Sequence, residues 1–495
     1  MTERARQIIV IGGGTAGSVL AARLSESPAL EVTLLEAGGD HGTYDEGVLD
    51  PALASAAWTG ATTPAAVTPM RMETGGAILM LQGRLLGGTS ALNGLATVRG
   101  MPADYDGWAA AGLEGWGWKD VAPTFIAAER DLDFGSSPIH GSRGPLPVRR
   151  WRREEISRAQ RAYYDGMIEI GEPAVADVND PSQLPGLGVF PVTLDDEGRR
   201  VTTSLAYLTP EVRARPNLRV RTRCEVSRIE IEGRRATGVL LASGEALVAD
   251  EIVLAAGALW SPHLLLRSGI GPARQLADHG LALHADLPVG ATLSDHLGPG
   301  IAYRHAGPRG GVAGPAQVLL VGASNGTDVD YHAFPIAPVP SQDETRFVMA
   351  VFLLRSSGRG SVELGPAPDS GPLVNAPPLP VDAHERLRHA FDRIARWERS
   401  DAARALGCEP LVPHDLRAPD AVALALERTT LSYGHMTSTC PMGPVLDADC
   451  RVRGIEGLRV CDASVMPTIP SGNTYLGCVM IAERVAAKMS AARRD

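Results

Sequence analysis

The chain has 495 residues, a formal net charge of −10, 44% hydrophobic and 21% charged residues. That length exceeds one simple core and predicts two closely associated domains, while a negative charge spread along the chain excludes nucleic acid and anionic membrane surfaces as expected partners. Six cysteines without a C-x-x-C pair predict buried unpaired thiols, no metal centre and a reducing, cytoplasmic setting.

The N-terminal MTERARQIIVIGGGTAGSVLAARL imitates a secretory leader. Its apolar core, IIVI, is too short, and no stretch reaches the roughly 18 apolar residues of a membrane span. The segment instead reads as a βαβ unit. Ile8 to Ile11 form a strand buried on both faces, Gly12, Gly14 and Gly17 give G-x-G-x-x-G, SVLAARLSES continues as a helix, and EVTLLEAG is the second strand. Glycines in this pattern let backbone approach a pyrophosphate at a helix N-terminus. Glu36, 24 residues after Gly12, is placed to accept from a ribose diol, which disfavours NADP and leaves FAD and NAD both open.

Residues 40–82 read as loop. GRLLGGTSALNGLATVRGMPADYDGW follows, with Gly87, Gly88 and Gly94 among Leu85, Leu86, Leu92 and Leu95, which suits backbone pressed against a flat ligand. The Arg/Trp run at 149–153 reads as a solvated helix face, since acids follow it directly. Residues 217–257 alternate in polarity like a small antiparallel sheet returning to a buried strand, EIVLAAG. Ser261-Pro262 then opens a helix that Gly269 and Gly271 end. Between 300 and 425, four strand patterns (AQVLLVGA, TDVDYHAFPI, ETRFVMAVFLL, GSVELG) surround one helix, VDAHERLRHAFDRIARWERS. Gly322, Ser324 and Gly326 mimic a hydrolase nucleophile elbow, but a strand pattern follows where the elbow needs a helix, so a hairpin turn is expected.

These blocks, with LPVGATLSDHL and the C-terminal GLRVCDASVMPTIPSGNTYLGCVMIAERVA, resemble in order the glucose–methanol–choline (GMC) family of flavin oxidoreductases. The resemblance implies an α/β chain, α+β overall. A Rossmann-like FAD-binding domain (1–155, 200–298, 430–495) is interleaved with a substrate-binding domain built on an antiparallel sheet flanked by helices (156–199, 299–429). It implies FAD, with Gly12, Gly14, Thr15, Ala16, Gly17, Glu36 and Ala37 on the ADP half. Arg84, Gly87, Gly88, Thr89, Asn93 and Gly94 would lie along the pyrophosphate and isoalloxazine. Val226 would meet the adenine, Asp462 and Ala463 the ribityl chain, and Ala256, Gly257, Asn473 and Thr474 complete the contacts. Some members attach flavin through a histidine just before the asparagine; here Leu92 stands there, so FAD is expected to be noncovalent.

By the same resemblance His435 is the active-site histidine and Asn473 its partner. A neutral alcohol donates hydride poorly unless its hydroxyl proton leaves, and His435 Nε2 supplies a base, while Asn473 orients the oxygen without titrating. The family's His-Pro-x-Gly-Thr becomes His435-Met436-Thr437-Ser438-Thr439, so a different backbone is expected there. The expected activity is FAD-dependent oxidation of a small-molecule alcohol to aldehyde or ketone, with the electron acceptor unassigned. The alternatives are an oxygen-using oxidase that makes hydrogen peroxide and a non-redox hydroxynitrile-lyase-like enzyme. Tyr331, His332 and Phe334 are expected on a strand facing the substrate cavity.

Overall fold

The computed structural model describes residues 4–40, 46–51, 65–308, 310–312, 314–336, 345–355, 359–367 and 370–491. Its organising element is a parallel sheet of β1 (Arg6–Ile11), β2 (Leu30–Leu35), β3 (Leu218–Arg221), β4 (Glu251–Leu254) and β5 (Leu458–Val460). The order is β5-β4-β1-β2-β3, with Ile8 in register with both Val32 and Glu251. The sequence leaves β1 toward β2 on one side and places β4 on the other. The carboxyl ends of β1 and β4 therefore flank a crevice where strand order reverses, the usual ligand position in such sheets.

Helices α1 (Thr15–Leu24), α2 (Gly257–Arg267) and α3 (Thr474–Ala491) start at or near that edge, and α3 packs along α1. Gly12 turns out of β1 at φ +97°, a conformation glycine adopts without strain. A Cβ on Gly17 would collide with the Gly12 carbonyl and sit 3.6 Å from the Ala255 side chain. Gly17→Ala should push α1 off β1 and lower unfolding stability by about 1–3 kcal/mol, measured by denaturant titration. An unchanged midpoint would show that the contact relaxes freely.

A second, antiparallel sheet lies beyond. Its order is Glu409–Pro410, Leu297–Arg304, Arg346–Leu353, Tyr331–Ile336, Val318–Gly322 and Gly186–Val189, with Thr430–Ser432 also pairing the second of these. The helix Ala383–Trp397 buries Leu387, Phe391, Ile394 and Trp397 in the core of this region. The expected hairpin stands: Gly322 pairs with Tyr331, and Ser324 Oγ bonds Asp330 rather than a histidine.

Four sequence expectations need correction. Residues 65–83 are not loop but a hairpin, Ala65–Arg71 with Ala77–Gly83, hidden by a Gly/Ala/Thr/Pro-rich composition; residues 52–64, within the same expected loop, lie outside the described residues. Leu218–Arg221 joins the parallel sheet, leaving 226–248 as the three-stranded antiparallel unit. The basic run is not helical and only partly solvated: Leu146–Arg150 is a fully buried strand, Trp151 donates its ring N–H to Ala316 O at 3.2 Å, and Arg152 and Arg153 are exposed. The helix after EIVLAAG begins at Gly257, so Ser261 and Pro262 lie inside it. All six cysteines are free; Cys440, Cys450, Cys461 and Cys478 are buried.

Candidate active site

One cavity of about 550 Å³ runs from the Gly12 turn to His435. Two glycine turns face each other across it. Gly88, at φ +54°, brings its backbone against Gly14, and Gly87 donates its N–H to Gly13 O at 2.8 Å. A Cβ on Gly88 would come within 2.7 Å of Gly14 Cα, so only glycine lets the two turns approach this closely. Glu36 is buried there, accepting from Gly13 N at 2.8 Å and Gly38 N at 2.7 Å; burial pushes its carboxyl above the ordinary range against those donors. Asp462, at the end of β5, accepts from Gly257 N at 2.8 Å and Ser261 Oγ at 2.5 Å, tying α2 to the crevice.

At the other end, Asn473 is held through its backbone and its side chain. Its N–H donates to Val98 O at 2.9 Å, and its Oδ1 accepts from Val98 N at 3.1 Å. The amide orientation is therefore set: Nδ2 faces His435 Nε2 at 3.1 Å and donates to it. His435 must then carry its proton on Nδ1, which donates across 2.9 Å to His296 Nδ1. Burial, then His296 and His332, hold the His435 imidazole well below its ordinary range, and burial lowers His296 to about 3. Both rings are neutral, and the basic lone pair sits on His435 Nε2.

Asp295 organises this pair through the backbone. Its Oδ1 accepts from His296 N at 2.8 Å and His435 N at 2.9 Å, its Oδ2 from Ser432 Oγ, and burial raises it to about 6 despite these donors. Asp104 anchors the turn before α3, accepting from Ser471 N at 2.7 Å and Ser471 Oγ at 2.9 Å. Ser438, at the position where the resemblance expects glycine, adopts φ +69°, a left-handed conformation that favours glycine.

The cavity brings together Gly12, Gly14, Thr15, Ala16, Glu36, Ala37, Arg84, Gly88, Thr89, Asn93, Gly94, Val226, Ala256, Gly257, Asp462, Ala463, His435, Asn473 and Thr474. Gly17 and Gly87 do not line it; they shape the turns behind its wall. Phe334 lines it, but Tyr331 points to the opposite face of its strand, packing edge-on to His389, and His332 lies behind Tyr433. Sequence reasoning missed His296, Asp295 and Tyr433. The first two were visible as an adjacent acid and imidazole in LPVGATLSDHL, and Tyr433 stood two residues before His435.

A backbone-walled trough at the switch point of a parallel sheet, closed by a buried acid and leading to a buried His–Asn pair, defines a dinucleotide-cofactor oxidoreductase. Residues 6–298 and 356–482 match the GMC oxidoreductase family. Pyridoxine 4-oxidase of Microbacterium luteolum is 34% identical, over 96% of this chain and 98% of that protein. The oxygen-dependent choline dehydrogenase of Burkholderia pseudomallei (strain 1710b) is 33% identical, over 98% and 94%. The crystal structure of pyridoxine 4-oxidase from Mesorbium loti superposes with a TM-score of 0.88 at 29% identity, covering 98% of this chain and 99% of that one. The chain belongs to the GMC oxidoreductase family. It is an FAD-dependent enzyme acting on CH–OH groups.

Proposed function

We propose that this protein oxidises a small-molecule alcohol to an aldehyde or ketone, with FAD held noncovalently in the cavity and His435 as the base. The observation that carries this reading is the Nε2 lone pair of a neutral, buried His435 facing the Asn473 amide at 3.1 Å. FAD, when bound, accepts the hydride. The residues do the rest: His435 Nε2 takes the hydroxyl proton as C=O forms, and Asn473 Nδ2 steadies the oxygen. The resulting imidazolium keeps its Nδ1–H on the lone pair of the neutral His296 ring.

The facing glycine turns and Glu36 suit the ADP and pyrophosphate, and the N-terminus of α3 suits charge on the flavin pyrimidine. Leu92 lines the cavity and has no atom through which flavin could be attached, which supports noncovalent binding. We assign 1–155, 200–298 and 430–495 to the cofactor unit and 156–199 and 299–429 to the substrate unit; the parallel sheet, whose five strands all fall in the first set, supports this, while Thr430–Ser432 pairs with the antiparallel strand Leu297–Arg304. Six free thiols favour a reducing, cytoplasmic setting.

Anaerobic titration of the purified protein with a panel of alcohols should bleach the flavin absorbance band. Failure of every alcohol, with bleaching by dithionite, would overturn the reading and favour a non-redox lyase. The names of the two relatives, an oxidase and an oxygen-dependent dehydrogenase, favour oxygen as acceptor. Rapid return of colour on admitting air is the expected sign of that.

A further inference from the structure

Resting on the alcohol-oxidising reading above, we infer that the substrate is a neutral aromatic alcohol whose carbinol carbon is attached directly to the ring. Tyr433 stacks on His435 with ring centroids 4.1 Å apart and planes 27° apart, and on Phe352 at 4.3 Å and 17°. Two near-parallel rings at that separation cannot share one face of Tyr433. Phe352, Tyr433 and His435 therefore form a three-layer stack with the base at its end. Phe334 packs against Phe352 at 5.8 Å and Tyr433 at 5.4 Å, and Phe190 meets Phe334 edge-on at 5.2 Å. All five side chains line the cavity.

The rest of the substrate thus meets aromatic wall as soon as its hydroxyl reaches His435. Aromatic side chains favour another ring in edge-to-face or offset contact. They do not favour a cation here. Both faces of Tyr433 are already covered, and ring edges carry the positive side of the quadrupole. Nor is there a countercharge among the described residues. Apart from His435, the acidic and basic side chains lining the cavity are Glu36, Arg84, Glu225, His263, Arg267 and Asp462. Each belongs to the opposite region. Glu36 bonds the first glycine turn, Arg84 pairs with Glu225 at 2.5 Å, and His263, Arg267 and Asp462 lie on or against α2. A polyol fares no better, because buried hydroxyls need partners and this wall is mostly carbon.

The chemistry balances as the parent reaction does. The O–H proton goes to His435 Nε2, the carbinol C–H bond breaks with its electron pair leaving as hydride to FAD, and an aromatic aldehyde is released.

The test is anaerobic stopped-flow reduction of the holoenzyme by benzyl alcohol, cyclohexylmethanol, choline and glucose, reading the second-order rate of flavin bleaching. Benzyl alcohol should exceed cyclohexylmethanol, its saturated counterpart, by about tenfold or more, and choline and glucose by a wider margin. In Phe334→Leu holoenzyme with unchanged flavin content, the benzyl-to-cyclohexylmethyl ratio should fall. Parity with cyclohexylmethanol, preference for choline or glucose, or an unchanged ratio in the variant overturns this inference and leaves alcohol oxidation standing. If none of the four bleaches the flavin while dithionite does, the alcohol-oxidising reading fails and this one fails with it.

Discussion

Replacing His435 by glutamine should slow alcohol-driven flavin reduction by about 10²–10⁴-fold, the contribution of a positioned proton acceptor. Glutamine still offers a hydrogen-bonding amide to Asn473 and His296, so the cavity is preserved, but no nitrogen in it can take a proton. Reduction by dithionite and the visible spectrum should be unchanged, which separates loss of the base from loss of the cofactor. The pH profile adds a second readout. Burial first, then His296 and His332, lower the His435 titration well below the ordinary imidazole range, so the proton-free base persists through neutral pH. In the parent enzyme this group should therefore limit kcat/KM only on the acid side, and that acid limb should be absent from the glutamine variant. A variant retaining more than about a tenth of the parent rate would remove His435 from the role of base.

What could be read in advance follows from sequence distance. Strand, glycine turn, helix and Glu36 lie within 31 residues, so the physics that joins them is local and legible. His435 and Asn473 were legible through resemblance, since no local pattern distinguishes a catalytic histidine from a buried structural one. The groups that surround His435 are a different matter. His296 lies 139 residues away and the Asp295 carboxylate 140, and neither pairing leaves a trace in a periodicity. The basic run at 149–153 misled for the same reason. Its charges look solvated when read beside Glu154 and Glu155, yet Arg150 answers Asp131 and Asp177 across the fold. Tyr331 shows the limit from the other side: the strand was identified correctly, but facing requires knowing which side the core occupies, whereas His332 shares the face of Phe334 and is screened by Tyr433, 101 residues away.

The cluster around Arg150 supports the largest stability effect we expect, from His140→Gln. Glu129, Asp131 and His140 lie close enough to suggest a metal site, with ligand atoms within 4.8 Å of one another. Yet both His140 nitrogens face carboxylates: Nδ1 lies 2.8 Å from Glu129 and 3.0 Å from Asp131, and Nε2 lies 2.7 Å from Asp177. Burial opposes charging the ring, but bonds to Asp131, Asp177 and Glu129 outweigh it and raise His140 to about 10. A doubly donating imidazolium has no lone pair for a metal. With Arg99 on Glu129 at 2.5 Å, and Arg150 on Asp131 and on Asp177 at 2.6 Å, three cations balance three carboxylates. Glutamine removes one charge from a balanced buried set and should lower unfolding stability by about 3–5 kcal/mol at pH 6.5. Because the folded value lies above the ordinary 6.5, the His140 contribution is complete below that pH and fades as pH rises through about 10. The gap between parent and variant in denaturant midpoint should therefore close on going from pH 6.5 to 10. A gap constant across that range would mean that His140 is neutral in the fold. The site should feel the change as well. Arg99 N bonds Asn179, whose own N–H rests on Asp177, and the neighbouring Val98 fixes both the backbone and the amide of Asn473. Loosening the cluster loosens the shelf that points the Asn473 amide at His435 Nε2.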